Sequence, residues 1–148
     1  MFTKILVPLD GSARAEAILP YVEDLAARKD ATVIFMEVVE PIPIIMDAHE
    51  SVIVMQMDEL RVREQEARAY MTARAGEFRA RGLQARIRMQ HGPVAEAICN
   101  QAEADGVDLI AMASHGRGGL GQMVYGSVAS AVLHKTDKPM LLIRSRDA

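Results

Sequence analysis

Strict alternation of strand-like and helix-like segments constrains this chain more than any other feature. Short apolar runs fill residues 4–9 (Ile5-Leu6-Val7), 31–39 (Val33-Ile34-Phe35-Met36), 109–113 and 139–143. Such runs suit strands covered on both faces. Residues 83–89 alternate Leu83, Ala85, Ile87 and Met89 with Gln84, Arg86 and Arg88, the pattern of a strand with one wet face at a sheet edge. Between these runs lie stripes at helical spacing: Ile18, Tyr21, Val22 and Leu25; Leu60, Ala67, Met71 and Phe78; Val94, Ala97, Ile98 and Ala102; Val124, Val128, Ala131 and Val132. Five strands, each of the first four followed by a helix, imply a parallel sheet with helices on both faces and right-handed crossovers. In such sheets ligands sit beyond the carboxyl ends of the strands, where the strand order reverses.

Boundary residues fit this plan. Ser12 is an N-cap after the Asp10-Gly11-Ser12 break, and Pro20, inside the first stripe, is expected to kink that helix. The densely charged 58–81 segment reads as a long exposed helix that Gly82 stops. Pro93 takes a first-turn position, and His134-Lys135 close the last helix. Residues 44–57 have no clear place; their methionines (Met46, Met55, Met57) read as core fillers, with an adaptable patch against another subunit as the other reading.

Bulk properties narrow the function. One domain, 1–148, suits the length, and half the residues are apolar. A formal net charge of -3 argues against nucleic-acid binding through a basic surface. The single cysteine, Cys99, excludes an internal disulfide and reads as a small core residue. A strand begins almost at Met1, leaving no signal peptide, and no apolar run approaches the roughly 20 residues of a membrane span. The expectation is a soluble cytoplasmic protein. His49, His91 and His134 show no metal spacing, and no metal site is expected.

Residues 113–127 carry the chemistry. Five of the chain's ten glycines fall in Ala-Ser-His-Gly-Arg-Gly-Gly-Leu-Gly-Gln-Met-Val-Tyr-Gly-Ser, between a strand and a helix start. Glycine lets the main chain approach a ligand closely, and the helix N-terminus beyond adds unpaired N–H donors. Residues 116–121 match G-x-G-x-x-G, but a dinucleotide fold needs an acid about 20 residues on, and here the chain stops after the next strand. Residues 121–127 imitate a P-loop tail with Ser127 where the lysine belongs, so a Walker NTPase is also rejected.

The spacing Ala113-x2-Gly116-x9-Gly126-Ser127 resembles the G-x2-G-x9-G-[ST] pattern of universal stress proteins. Ile5 to Ser12, Val38 to Pro41, Gly92 to Ile98, Asp108 to Ser127 and Lys138 to Arg144 are similar to further segments of that family, in order. The resemblance implies a Rossmann-like three-layer α/β/α sandwich with a five-stranded parallel sheet of order 3-2-1-4-5. It also implies an ATP site, with or without Mg²⁺. Asp10 would face the ribose or a metal-phosphate group, with turn former as its plainer role. Val38 would pack on adenine beside Pro8 and Leu9, and Met112 and Ala113 would bracket base and ribose. Gly116, Arg117 and Gly119 would wrap the phosphates; His115 would order that loop or touch phosphate; Gly126, Ser127 and Val128 would offer N–H groups. One departure stands out: Ala113 occupies the position of the first motif glycine.

Three readings follow. The first is an ATP-binding regulatory or sensing protein. No nucleophile with an adjacent base and no catalytic dyad appears, so any hydrolysis would be slow. The second is a nucleotide-free dimeric interaction module, with Ala113 marking a decayed site; the family implies homodimers through the last strand, Met140, Leu141, Leu142 and Ile143. The third is an adenylating enzyme of related fold.

Overall fold

The computed structural model describes residues 1–43, 45–115 and 126–145. Its strands are β1 (Lys4–Pro8), β2 (Thr32–Val39), β3 (Gln84–His91), β4 (Leu109–His115) and β5 (Met140–Ser145). The helices are α1 (Ala13–Glu16), α2 (Leu19–Lys29), α3 (Glu50–Ala80), α4 (Val94–Ala104) and α5 (Ser127–Lys135). All strand pairs are parallel, in the order β3-β2-β1-β4-β5, as the family resemblance implies. Every strand bound lies within two residues of its sequence expectation.

Pleating sends successive residues to opposite faces and so builds two cores. Ile5, Val7, Val33, Phe35, Leu109 and Ala111 pack with Val22, Ala26, Met71, Ala75 and Phe78 beneath α2 and α3. On the other face Leu6, Ile34, Met36, Ile110 and Met112 meet Ala97, Ile98, Ala102, Ala129 and Val132 of α4 and α5. Partly buried Cys99 packs against this second core, where burial pushes its thiol pKa up, against the lowering effect of Lys135. At the amino end of the sheet, Asp108 accepts from Thr3 N (2.8 Å), Thr3 Oγ1 (2.9 Å) and Lys4 N (3.1 Å), tying β1 to the start of β4. Burial pushes that carboxyl up, but these bonds outweigh it and hold it below the ordinary value.

Three expectations need correction. Pro20 kinks no helix: the chain breaks before it, and Pro20 is the second residue of α2, where its missing N–H costs nothing. Similarly, Pro93 is the N-cap of α4, just outside the first turn. The third concerns α3, which begins at Glu50, eight residues before the expected start. Its 31 residues span about 46 Å, far more than an eight-residue strand can underlie. The amino-terminal turns therefore leave the sheet, and Met46, Met55 and Met57 are 87%, 70% and 53% exposed instead of filling the core. Gly82, at φ +81°, ends α3: its N–H bonds Arg79 O, and the N–H of Leu83 reaches back to Phe78 O.

Candidate functional site

The strand order reverses between β1 and β4, and a crevice opens beyond their carboxyl ends. Pro8, Leu9 and Asp10 enter it from β1 and the turn that follows. Val38 comes from β2, Met112 and Ala113 from β4, and Gly126, Ser127 and Val128 from the start of α5. Nine of the thirteen expected site residues thus face one space. The side chain of His115, which ends β4, lies outside the described residues, as do Gly116, Arg117 and Gly119.

Each wall follows from local structure. Asp10 Oδ1 accepts from Ser12 N (2.9 Å) and Ser12 Oγ (2.5 Å), and Ser12 Oγ in turn accepts from Ala15 N (3.1 Å) to cap α1. Asp10 is therefore the turn former of its plainer reading, through Oδ1, while Oδ2 takes no part in the turn. Gly126 is the N-cap of α5 with φ +68° and ψ 143°, a backbone that glycine adopts and L side chains resist. Its carbonyl accepts from Ser130 N at 3.0 Å, which starts the helix and leaves the N–H groups of its first turn without helical partners. Ala113 lies within extended β4, and Asp30 alone among the described non-glycine residues has positive φ. Alanine at this motif position therefore strains no backbone.

Several crevice residues escaped sequence reasoning. Arg14 and Ala15 project from α1, and Glu40 follows β2. Val94 and Ile98, one turn apart on α4, form the apolar floor with Met36. Spacing could have found some of them. Glu40 stands two residues after Val38 on a strand-like segment, and Val94 and Ile98 are four apart on the α4 stripe.

The electrostatics around Asp10 reach through the sheet end. Glu37, on the α3 side of β2, has its carboxyl pKa raised, first by burial and then by the charge of Asp10; its Oε2 is buried without a hydrogen-bond partner. A carboxyl whose folded pKa exceeds its unfolded value favours folding at low pH and loses that contribution as pH rises through the folded pKa. Replacing Glu37 with Gln is accordingly expected to raise the melting temperature at pH 7 and leave it nearly unchanged at pH 4. Equal shifts at the two pH values would contradict this. Close by, Arg74 of α3 bonds Glu16 of α1 (2.8 Å) and Glu77 (2.8 Å), and its guanidinium lies 5.5 Å from the centroid of the Tyr70 ring. That ion pair, with side chains only 26% and 23% exposed, fixes α1 over the sheet. Among the described residues no group of three or more His, Cys, Asp or Glu side chains could hold a metal ion. No described helix is long and apolar enough to cross a membrane.

Comparison with known proteins agrees with the fold. The chain is 28% identical to Universal stress protein MJ0577 of Methanocaldococcus jannaschii, with 100% of this chain and 98% of that one covered. It is 29% identical to Universal stress protein YxiE of Bacillus subtilis, covering 97% and 100%. The solved structure of MJ0577 superposes with a TM-score of 0.83 at 29% identity over 100% of this chain and 99% of that one. Two further solved universal stress proteins share the fold at 18% identity and a TM-score of 0.63. One is in complex with cAMP (98% of each chain covered), and one, from Archaeoglobus fulgidus, is in complex with dAMP (96% and 98%). The Universal stress protein family model matches residues 1–144, nearly the whole chain, and the chain belongs to that family.

Proposed function

We propose that this protein binds an adenine nucleotide, ATP foremost, as a regulatory or sensing ligand. The observation that carries the reading is convergence. Residues from the ends of β1, β2 and β4 and from the start of α5 meet in one crevice at the switch point of the sheet. Apolar Val38, Met112, Val94 and Ile98 suit a flat base, Asp10 suits ribose hydroxyls, and the first turn of α5 suits phosphate. The cAMP and dAMP complexes of two proteins of the same fold support adenine as the base. Mg²⁺ would arrive on the phosphates, with Asp10 and Glu40 the carboxylates in the wall.

Ligand binding to the folded state alone stabilises it by mass action, about 2.7 kcal/mol at a hundredfold excess over Kd. Millimolar ATP with Mg²⁺ is therefore expected to raise the melting temperature by several degrees and to give heat in titration calorimetry. Absence of both effects would reject the reading.

A second reading, a dimeric interaction module, is favoured by the sheet edge. β5 pairs only with β4, and Met140, Leu141, Leu142 and Ile143 are all half-buried on a strand whose outer edge pairs with no described strand. Such edges invite pairing with another copy. Native mass spectrometry reports subunit number and retained nucleotide together: a dimer carrying nucleotide joins the two readings, an empty dimer favours the second, and a monomer removes the β5 interface.

A further inference from the structure

We propose that Arg14 is the residue that makes this crevice select phosphorylated adenine ligands, holding the phosphate tail from the wall opposite α5. The inference rests on the nucleotide reading of the same site. Three charged side chains line the described part of the crevice: Asp10, Glu40 and Arg14. The two carboxylates repel a polyanion. Among these lining residues Arg14 is the cation that offsets them.

Its position is set by the fold. Ala15, beside it, packs against the first core together with Ala113, so α1 leans over the end of β4 on the α2–α3 side of the sheet. Val128 and Ala129 of α5 pack on the opposite side. An elongated ligand tail running out of the crevice passes between these two walls, with main-chain N–H groups from one and the Arg14 guanidinium from the other. Arg14 is also held there. Ser12 caps its helix, and Glu16, two residues on, is locked to Arg74. Arg14 also has an interaction of its own within the chain. A guanidinium suits that role because its planar fork of N–H donors matches two phosphate oxygens at once, which an ammonium cannot do.

The test is titration of ATP and of adenosine into the wild type, Arg14→Gln and Arg14→Lys. The expected result is that Arg14→Gln weakens ATP at least about tenfold, since a bidentate pair at a half-exposed site contributes no less than one charge-assisted hydrogen bond, and changes adenosine less than about twofold. Arg14→Lys keeps the charge and the stem, and is expected to recover part of the ATP affinity. Added KCl should weaken ATP binding more steeply in the wild type than in Arg14→Gln. Equal losses for ATP and adenosine, or no loss for ATP, would overturn the role of Arg14 while leaving the nucleotide site standing. A wild type that binds neither ligand would overturn the site itself and this role with it. Should Arg14→Gln fail to fold, Arg14→Lys decides: ATP affinity equal to wild type overturns the bidentate contact, and an ATP-selective loss supports it.

Discussion

Replacing Gly126 with alanine is expected to lower ATP affinity at least tenfold and the melting temperature by roughly 2–12 °C. The stability change has a backbone cause. Gly126 sits at φ +68° and ψ 143°, where a Cβ crowds the main chain, at a cost of about 1–3 kcal/mol. The affinity change has the same origin by a different route. To escape the strain the chain must rotate at the N-cap, and Ser127 and Val128, the next two residues, move with it. Donors aimed at a phosphate tolerate little displacement, since a shift of about 1 Å can cost a hundredfold. Gly82→Ala separates the two effects. Gly82 has φ +81°, and a Cβ there meets nothing within 4 Å, so its cost is also one of backbone conformation. It lies before β3, at the end of the sheet away from the crevice. Gly82→Ala should therefore match the loss of stability and leave ATP binding unchanged. If Gly126→Ala binds ATP as the wild type does, the phosphate is not held by the start of α5, and the proposed site loses its anchor.

The contrast between those two glycines also shows what was legible in the sequence. Both were readable as punctuation, since each follows or precedes a clear apolar pattern. The strands were readable because β1, β2 and β4 are covered on both faces, which writes a continuous apolar run into the chain. β3 was readable as an edge because polar Gln84 and Arg86 interrupt its pattern. From there, the ends of β1 and β4 had to hold Asp10 and Ala113 at one crevice once the order reversed between them. What the pattern did not carry was the direction of side chains just past a strand end. Arg14 faces the crevice because the Asp10–Ser12 turn and the Ser12 cap orient α1, and both depend on backbone angles that periodicity does not encode. Pro20 was misplaced for a related reason: proline fits both a kink and a helix start, and only the break at Ala17 and Ile18 decides. Met55 and Met57 of α3 were misread because apolar composition says nothing about how far the sheet extends beneath them.

The largest expected loss of stability belongs to the carboxyl-terminal end of α3, where the sheet does lie beneath the helix. Phe78→Ala should destabilise the fold by about 3–5 kcal/mol and lower its melting temperature by roughly 6–20 °C. Phe78 is 2% exposed in the last turn of α3, and its ring meets that of Phe35 on β2 edge-on, with centroids 4.9 Å apart and planes at 89°. Truncation removes this aromatic contact and opens a cavity between helix and sheet. Neighbouring Ala75 and Ala85 have no side-chain length with which to fill it. The same turn also supplies the Phe78 carbonyl to Leu83 N (3.0 Å), the bond that turns the chain into β3, so the cavity sits where helix and edge strand are joined. Met55→Ala, on the same helix at 70% exposure, should change stability by no more than about 0.5 kcal/mol. The pair tests whether α3 is two physical objects in one continuous helix, a carboxyl-terminal half that holds the sheet and an amino-terminal half that does not. Thermal melts of both variants give the answer. If Met55→Ala costs as much as Phe78→Ala, the amino-terminal turns are packed against something in solution, and their exposure beyond the sheet is wrong.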